Sequence, residues 1–501
     1  MSWLEPLPAA DEMRATDRWA IETVGVPSLD LMERAGEGLA RVTAGRAPAG
    51  RVAIVVGKGN NGGDGLVAAR LLRGAGRVVD VLAVWPPETL QGDAAEQLRR
   101  LPGDPPAAFD AARLEGAAVL VDALLGTGTT GAPRDPAGAV IEAMNGAAAG
   151  VVAADVPSGV DASTGEVAGA AVRAVATATF HRAKPGLWIH PGKAHAGAVE
   201  VIDIGIPPGA PASPSVGLVR DEVLAGVPHR GADSTKFTSG NVFVIGGSSG
   251  LTGAPTMAAL AAMRAGAGYV TVAAPAELET VFAVRLLEAL KVSLPSAGGS
   301  LSPDAIEPAL AAIERADAVV LGPGLGRDDG AREFAHALVG AVGVPLVIDA
   351  DGLNALAEGF PGALPERDAP TVLTPHAGEL GRLLAVESRE VAAHRLAHAR
   401  DAAARANAIV VLKGDDTLVA APDGRVAVSP GGAPALATAG TGDVLSGVLG
   451  ALLAKRMDPF HATCAGVLAH VRAGRLAAAP HGPDGVIASD VIDHLPPALN
   501  L

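Results

Sequence analysis

Short apolar runs alternate with longer segments of mixed polarity along most of this chain. In the first half, apolar runs of strand length occur at 52–56, 78–84, 118–121 and 151–154, and helical periodicity occurs at 11–24, 28–44, 66–73, 92–101 and 137–145. In the second half, the predicted strands are 241–245, 269–273, 318–321, 346–349, 371–374 and 409–412, and the predicted helices are 254–265, 331–339, 388–404 and 443–454. Such alternation is typical of parallel sheets with helices on both faces, so we predict an α/β chain of two three-layer domains.

A segment rich in proline and small residues separates the two series. Residues 206–214 read IPPGAPASP, which cannot continue a helix or an inner strand. We therefore predict one domain at 1–210 and a second at 221–501, with a linker at roughly 206–220. In a chain of 501 residues, each of these domains is long enough to bury its own core.

The composition limits the class of partner. Apolar residues make up 49% of the chain and charged residues 19%, as in globular proteins, and the formal net charge of −15 argues against a nucleic-acid-binding surface. The single cysteine, Cys464, excludes an internal disulfide and a cysteine-built metal site. The first residues show no signal-peptide pattern, and the apolar runs are too short to span a bilayer. We expect a soluble, cytoplasmic protein with neither nucleic acid nor membrane as a partner.

A glycine-rich segment, GKGNNGGDG at 57–65, directly follows the apolar run Val52–Val56. Glycines after a strand let backbone N–H groups approach a phosphate, and a following helix adds its positive end. Residues 57–62 formally match G-x-G-x-x-G, the dinucleotide-binding fingerprint. That fingerprint expects an acid at the tip of the second strand, whereas Asp80 lies inside the run 78–84. The segment is therefore predicted to be a phosphate-binding loop of another kind.

Polar side chains follow two later strands of the same domain. Asp122 lies at the start of DALLGTG after the third strand, and Ser158 lies in DVPSGVD after the fourth. With Asn61 of the glycine-rich loop, they offer oxygen ligands at successive strand ends, which suits a hard cation. Each residue taken singly is equally compatible with a turn or a cap.

These motifs, with LMERAG at 31–36, resemble the NAD(P)H-hydrate epimerase domain over about residues 1–210. We predict a Rossmann-like, doubly wound sheet here, and the resemblance implies a potassium ion, K⁺, at Asn61, Asp122 and Ser158. The segment TFHRAKPG at 179–186 resembles a late strand-tip motif of that family and contains Lys184. The hydrate-binding residues that the resemblance implies are Asn60, Asn61, Gly62, Gly63, Asp64, Gly126, Thr127, Gly128, Thr129, Thr130, Gly131, Ala132 and Asp155.

The chemistry of such a hydrate identifies a candidate acid/base residue. The hydrate carries a hydroxyl on C6 of the nicotinamide ring, beside N1, and inverting C6 requires transient ring opening or loss of hydroxide. A carboxylate can assist either route by proton transfer, and Asp155 at the fourth strand end is the candidate. The alternative role for Asp155 is to bind a ribose or the ring amide without proton transfer.

A second glycine-rich segment, GTGD at 440–443, precedes the apolar run 444–453. At the start of a helix, its N–H groups and the helix dipole would converge on an anion beside Asp443. A carboxylate there can take a proton from a hydroxyl as a phosphoryl group arrives. The alternative is that Asp443 only stabilises the helix N-terminus. The sequence contains no G-x-x-x-x-G-K-[ST], which excludes a P-loop NTPase.

Four further motifs, each after a strand-like run, accompany this segment: IGGSSG at 245–250, LGPGLG at 321–326, TPHAGE at 374–379 and LKGDDT at 412–417. The set resembles the ribokinase-like superfamily, and specifically the ADP-dependent NAD(P)H-hydrate dehydratase, over about 221–501. The resemblance implies hydrate contacts at Ala254, Gly324, Gly326, His376 and Asp443, although His376 is also compatible with a capping or packing role. The adenine-nucleotide contacts that it implies are Lys413, Gly414, Asp415, Asp416, Thr417 and Gly442.

Together the two resemblances imply a bifunctional repair enzyme. One domain would interconvert the R and S hydrates of NADH and NADPH, and the other would dehydrate the S form with ADP as co-substrate and Mg²⁺ accompanying the nucleotide. Two alternatives remain open: a ribokinase-like kinase of a sugar or vitamin with a regulatory front domain, and a front domain that binds dinucleotides without chemistry. We also expect a homo-oligomer, since the helices before the first strand resemble a dimer-forming arm.

Overall fold

The computed structural model describes residues 1–211 and 213–501; Ala212, in the predicted linker, lies outside the described residues. The chain divides into two compact units. The first unit is Pro6–Gly217, and the second unit is Leu218–Leu501 together with Met1–Glu5, residues that the predicted ranges placed in the first domain. Each unit contains a mainly parallel sheet flanked by helices, which confirms the predicted α/β class.

The regular elements of the described residues are numbered in chain order. The strands are β1 (Leu4–Pro6), β2 (Val52–Val56), β3 (Val79–Ala83), β4 (Ala107–Ala108), β5 (Val119–Ala123), β6 (Gly150–Ala154), β7 (Ala174–Phe180), β8 (Ala198–Ile202), β9 (Val216–Val219), β10 (Asn241–Ile245), β11 (Tyr269–Pro275), β12 (Leu290–Leu294), β13 (Ser296–Ala297), β14 (Ser300–Leu301), β15 (Ala318–Leu321), β16 (Leu346–Ile348), β17 (Thr371–Leu373), β18 (Ile409–Leu412), β19 (Leu418–Ala420) and β20 (Val426–Val428). The helices are α1 (Ala10–Arg18), α2 (Ser28–Arg46), α3 (Asn60–Gly74), α4 (Gly92–Arg100), α5 (Ala137–Gly146), α6 (Lys193–Ala196), α7 (Gly253–Arg264), α8 (Glu279–Arg285), α9 (Ile306–Ile313), α10 (Asp329–Ala341), α11 (Asp351–Leu356), α12 (Ala377–Leu384), α13 (Ser388–Ala393), α14 (Arg395–Ala406), α15 (Thr441–Ala454), α16 (Pro459–His481), α17 (Ala488–Asp493) and α18 (Leu495–Ala498).

The sheet of the first unit is parallel, with the order β4-β3-β2-β5-β6-β7-β8. The chain leaves β2 toward β3 and β4 and then returns to place β5 on the other side of β2. This reversal opens a crevice at the carboxyl ends of β2 and β5, which is where doubly wound sheets bind ligands. All five residues of β2 are buried, as expected for a strand covered by helices on both faces.

The sheet of the second unit has the order β1-β9-β20-β19-β18-β17-β16-β15-β10-β11-β12. It is parallel from β12 to β18, whereas β18, β19 and β20 pair antiparallel. The strand order reverses between β10 and β15, which places a second crevice at their carboxyl ends. Two helices that cover this sheet, α7 and α15, pack closely at Gly447, because a Cβ there would lie 2.1 Å from the carbonyl oxygen of Ala258.

Every predicted strand is present, with each end within two residues of the prediction. The predicted helix 388–404 is two helices, α13 and α14, which meet at His394 with φ −128°. Helix α16 was not predicted, because it is buried along most of its length and lacks a polar face with helical spacing. None of the helices in the described ranges has both the length and the apolar character that a bilayer span requires.

Candidate active sites

The glycine-rich loop of the first unit is compact because two of its glycines have no room for a side chain. A Cβ on Gly57 would lie 1.8 Å from the carbonyl oxygen of Leu124, and a Cβ on Gly62 would lie 2.3 Å from that of Gly57. Helix α3 begins at Asn60, six residues before the predicted start. The segment Asn60–Asp64 therefore forms the first turn of a helix, whose free N–H groups can bind a phosphate.

The three residues predicted to bind the cation are brought together at the ends of β5 and β6. Asp122 is fully buried; its Oδ1 accepts hydrogen bonds from Ser158 Oγ at 2.6 Å and Leu124 N at 3.2 Å, and its Oδ2 accepts one from Ser158 N at 2.8 Å. Asn61 Nδ2 donates to the carbonyl oxygen of Leu125 at 2.8 Å, and Leu125 N donates to Ser158 Oγ at 2.9 Å. Burial raises the pKa of Asp122, and the hydrogen bonds from Ser158 and Leu124 lower it.

These residues fit a monovalent cation. Among the described residues, no lysine or arginine forms an ion pair with Asp122, so its buried charge lacks a protein counterion. The nearby donor atoms are carboxylate, hydroxyl, amide and carbonyl oxygens, which are ligands for hard cations, and carbonyl oxygens in particular bind K⁺.

A cavity of about 570 Å³ opens at these strand ends. Eight predicted hydrate-binding residues line it: Asn60, Asn61, Asp64, Gly126, Thr127, Gly128, Thr129 and Asp155. Five others are not among its lining residues: Gly62, Gly63, Thr130, Gly131 and Ala132. Gly62 and Gly63 are buried within α3, whereas Thr130 to Ala132 are exposed in the loop after β5.

Asp155 and Lys184 form an ion pair on the wall of this cavity. Asp155 adopts a left-handed backbone conformation, φ 66°, directly after β6. Its Oδ1 accepts hydrogen bonds from Phe180 N at 3.0 Å, from Thr179 Oγ1 at 3.2 Å and from Lys184 Nζ. Lys184 is only 1% exposed. A positive φ at a non-glycine residue is uncommon and is often found at functional sites.

Three further carboxyl groups line the same cavity, those of Asp64, Asp17 and Asp93. Asp64 is buried, and burial together with the charges of Asp155 and Asp17 raises its pKa well above its ordinary value. Asp17 of α1 was not predicted as a site residue. Burial raises the pKa of Asp17 to about 6, a shift that Asp155 increases and Lys184 opposes. In the sequence, Asp17 is one of several acids on an amphipathic helix, so nothing distinguished it.

In the second unit, Asp443 lies in the first turn of α15. The helix is preceded by Gly440 in a left-handed conformation, φ 90°, where a Cβ would lie 2.5 Å from the sulfur of Met257. Burial first, and then the charge of Asp349, raises the pKa of Asp443 to about 7, against the opposing effect of Lys413. A carboxyl group with this pKa can exchange a proton near neutral pH. The free N–H groups of the helix N-terminus beside it can bind an anion.

A buried network holds Lys413 at this site. Lys413 Nζ lies 3.0 Å from Oδ1 of Asp349, and Ser446 Oγ donates to Asp349 Oδ2 at 2.5 Å. Burial raises the pKa of Asp349, but the charge of Lys413 and the hydrogen bonds to the carboxylate together outweigh burial, so the pKa lies below its ordinary value. Asp349 and Ser446 were not predicted as site residues. Asp349 did carry a signal, because it is the acid that ends the apolar run 346–349, at a strand end like Asp122 and Asp155.

A pocket of about 460 Å³ contains most of the predicted nucleotide contacts. Lys413, Gly414, Asp415, Thr417 and Gly442 line it, together with apolar residues and His470, which was not predicted. The side chain of Asp416 is instead buried in an ion pair with Arg395, with Nε to Oδ2 at 2.9 Å. Nε2 of His470 is buried and has no hydrogen-bond partner among the described residues.

The predicted hydrate contacts of the second unit fall at several strand ends. Ala254 and Gly324 are neighbours, since a Cβ on Gly324 would lie 3.4 Å from that of Ala254. Gly326 N donates to Asp351 Oδ2 at 3.2 Å. His376 does cap α12: its Nδ1 accepts hydrogen bonds from Gly378 N at 2.9 Å and Glu379 N at 3.3 Å, which leaves Nε2 as the protonated ring nitrogen.

Two α/β units that each carry a helix N-terminus and buried carboxyl groups at strand ends define a bifunctional enzyme of phosphorylated small molecules. Residues 28–186 match the family model described as the YjeF-related protein N-terminus, and residues 242–497 match the model described as NAD(P)H-hydrate dehydratase. The chain is 42% identical to the bifunctional NAD(P)H-hydrate repair enzyme Nnr of Salinibacter ruber (98% of this chain, 95% of that one) and 39% identical to that of Moorella thermoacetica (98% and 96%). The chain belongs to the family of bifunctional NAD(P)H-hydrate repair enzymes, as predicted.

The chain is also similar to solved structures, among them that of a dehydratase. The ADP/ATP-dependent NAD(P)H-hydrate dehydratase from Bacillus subtilis, co-crystallised with ATP and Mg²⁺, is 32% identical. The match covers 56% of this chain and 95% of that one, with a TM-score of 0.49.

Proposed function

We propose that this enzyme repairs hydrated NADH and NADPH in two steps. The first unit interconverts the R and S hydrates at C6, and the second unit dehydrates the S form at the expense of ADP, giving NAD(P)H, AMP and phosphate. The observation that supports the dehydratase most directly is Asp443. Its carboxyl has a pKa raised to about 7, lies at the N-terminus of a helix and is near a lysine that lines the nucleotide pocket.

In the second unit, Asp443 accepts the proton of the C6 hydroxyl as that oxygen attacks the terminal phosphorus of ADP. The P–O bond to AMP breaks, and the amides of residues 440–442 hold the transferred phosphoryl group. The N1 lone pair then expels phosphate from C6, and loss of a proton from C5 restores the dihydropyridine ring. Phosphate is a better leaving group than hydroxide. ADP supplies the phosphoryl group that converts the C6 hydroxyl into this better leaving group.

Lys413 supports this step by position rather than by proton transfer. Ser446 hydrogen-bonds to Asp349, and Asp349 pairs with the Lys413 ammonium. The ammonium also borders the nucleotide pocket, so that it can bind a phosphate oxygen. Gly414, Asp415, Asp416, Thr417 and Gly442 are proposed to bind the adenine nucleotide, with Asp416 acting through its backbone. Ala254, Gly324, Gly326 and His376 are proposed to contact the hydrate.

Mg²⁺ is proposed to arrive with the nucleotide. Within residues 1–211 and 213–501, no group of three or more His, Cys, Asp or Glu side chains has the geometry of a metal site. Magnesium in phosphoryl-transfer enzymes is commonly held by substrate phosphates with few protein ligands, so we assign no residue to it.

In the first unit, the residues of the glycine-rich loop and of the loop after β5 are proposed to bind the hydrate phosphates. Asp155 is the proposed acid/base residue because its carboxyl lines the cavity and is held by three donors on one oxygen. K⁺ at Asn61, Asp122 and Ser158 would neutralise the buried charge of Asp122 and add a positive field near the phosphates.

The proposal is tested by incubating the full-length protein with mixed R and S NADH hydrate and ADP while following the absorbance of NADH. The wild-type enzyme should convert the whole mixture, Asp155→Asn should convert mainly the S half at early times, and Asp443→Asn should convert neither. A stable phosphorylated product without recovery of NADH would instead identify a kinase. A front domain that only binds dinucleotides would leave wild-type and Asp155→Asn enzymes equally limited to the S half.

A cytoplasmic location and self-association through α1 and α2 remain predictions. Size-exclusion chromatography with light scattering tests the second directly.

A further inference from the structure

The cavity of the first unit contains two carboxyl groups that the mechanism above does not use, those of Asp17 and Asp93. Asp17 reaches the cavity from the N-terminal helical arm, which also contributes Met13 and Ile21 to the lining. Asp155 and Lys184, by contrast, reach it from the ends of β6 and β7. Asp17 and Asp155 therefore belong to different walls of one cavity.

The surroundings of the two carboxyl groups favour opposite roles. Three donors, one of them the buried ammonium of Lys184, occupy Oδ1 of Asp155, and none of the hydrogen bonds from the described residues falls on its Oδ2. Oδ2 is therefore the oxygen of Asp155 that is free to face a bound substrate. No described residue donates a hydrogen bond to the Asp17 carboxyl, which is partly buried near the charge of Asp155. Such a site increases the proton affinity of the Asp17 carboxyl, and two carboxyl groups in contrasting environments are how enzymes assign acid and base.

We propose that Asp17 is the proton donor of the epimerase, acting on the C6 oxygen of the hydrate, with Asp155 as the base. This assignment rests on the epimerase function proposed above. In the forward step, Asp17 protonates the C6 hydroxyl, the C6–O bond breaks, water leaves with the bonding pair, and the N1 lone pair forms N1=C6. Water then adds to the other face of C6 and gives one proton to Oδ2 of Asp155. Proton exchange with solvent restores both groups, so no oxidant or other reactant is required.

Asp64 is the rival for this role. It lines the same cavity, but it lies within the first turns of α3, in the segment proposed to bind phosphates. The charged groups that face Asp17 are Lys184, Asp155 and Asp64, and Arg14, Lys58 and Asp93 line the remainder of the cavity. Because the pKa of Asp17 is about 6 in the free enzyme, the protonated form falls as the pH rises above that value. The kcat/KM of epimerisation should fall with it.

The test uses the full-length enzyme as its own control. When the substrate is the R hydrate with ADP, NADH forms only after epimerisation. When the substrate is the S hydrate with ADP, NADH forms without epimerisation. Asp17→Asn should slow the first reaction by about 100-fold or more relative to wild type, after subtraction of spontaneous epimerisation, and leave the second unchanged. Asp17→Glu should recover part of the rate, and Glu22→Gln, an exposed carboxylate on the same helical arm, should behave as wild type.

Two further readouts separate proton donation from a structural role. Wild-type enzyme without ADP should introduce ¹⁸O from labelled water into the hydrate, and Asp17→Asn should not. The residual activity of Asp17→Asn should lack the fall at high pH. The assignment is overturned if Asp17→Asn keeps that fall or keeps the isotope exchange, or if Asp64→Asn removes the fall instead. If wild-type enzyme converts only the S hydrate, the epimerase function itself fails, which is a different result.

Discussion

The ammonium of Lys413 lies 3.0 Å from Oδ1 of Asp349, whose other oxygen accepts a hydrogen bond from Ser446 at 2.5 Å. Asp349 is almost completely buried, so its charge is poorly screened and acts on Asp443 as well as on Lys413. It raises the pKa of Asp443, whereas Lys413 lowers it. The pair therefore sets both the position of the lysine and the proton affinity of the proposed base.

Replacing Asp349 with Asn should shift the pH dependence of dehydration. In wild-type enzyme, kcat/KM for the S hydrate should fall below about pH 7 as Asp443 becomes protonated. Without the Asp349 charge, the pKa of Asp443 drops and the acid limb moves to lower pH. The value of kcat should also fall, because Lys413 loses the nearer of its two carboxylate partners among the described residues, Asp349 at 3.0 Å, and keeps only Glu379 at 3.7 Å. Asp329→Asn, whose side chain is 93% exposed, is the matched control. An unmoved acid limb in Asp349→Asn would show that the two carboxyl groups are not coupled.

Asp443→Asn should stabilise the protein while abolishing dehydration. A carboxyl whose pKa is raised in the folded state binds its proton more tightly there than in the unfolded chain. Ionising it therefore costs stability as the pH rises from about 3.8 toward 7, and the loss persists above that range. Removing the charge should increase the free energy of unfolding on the order of 2 kcal/mol at pH 8 and have little effect at pH 4. Urea denaturation of the ligand-free protein at both pH values measures this. Equal effects at the two pH values would contradict it.

The sequence predicts where the binding crevices lie at the strand ends. It predicts less well which residues from other parts of the chain contribute side chains to them. Glycine-rich segments after apolar runs identified both crevices. At positions such as Gly57 and Gly62 the surrounding backbone leaves no room for a Cβ, so that only glycine fits. Such a requirement for glycine is visible in the local sequence. Asp17 could not be predicted, because its role depends on how the helical arm folds back over strand ends more than a hundred residues away. The buried pair of Arg395 with Asp416 was equally hidden, since Asp416 lies inside a motif that otherwise indicates nucleotide contacts.

Lys184→Met should destabilise the first unit, and Asp155→Asn should partly compensate. Removing the buried ammonium leaves the Asp155 carboxylate without its counterion, and breaking such a pair costs about 3 kcal/mol. In the double variant no uncompensated charge remains, so the loss should be smaller than in Lys184→Met alone. Tryptophan fluorescence during urea denaturation reports mainly on this unit, because Trp19, Trp85 and Trp188 belong to it. Additive losses in the double variant would argue against the pair.

Trp3→Ala should destabilise the second unit and spare the first. Trp3 is buried, stacks on His461 with ring centroids 4.9 Å apart, and accepts a hydrogen bond from Arg220 N through its carbonyl oxygen. Truncating a buried tryptophan costs about 3 kcal/mol or more, whereas Trp3→Phe keeps much of the contact and should cost less. The half-life of dehydratase activity on heating should shorten in Trp3→Ala, with epimerase activity lost at the wild-type rate. Parallel loss of both activities would contradict the assignment of Met1–Glu5 to the second unit.

Withdrawal of K⁺ should slow epimerisation and leave dehydration unchanged. The buried charge of Asp122 has no basic partner among the described side chains, so a cation at Asn61, Asp122 and Ser158 would stabilise both the loop and a bound phosphate. Replacing K⁺ with N-methylglucamine should lower the epimerase rate with R hydrate by about tenfold or more, while S hydrate is dehydrated as before. Asp122→Asn removes the charge that the ion balances, so its residual epimerase activity should no longer respond to K⁺. Ser158→Ala keeps Asp122 and should need more K⁺ for half-maximal rate. A wild-type epimerase rate that is the same with and without K⁺ would exclude a functional ion at these residues.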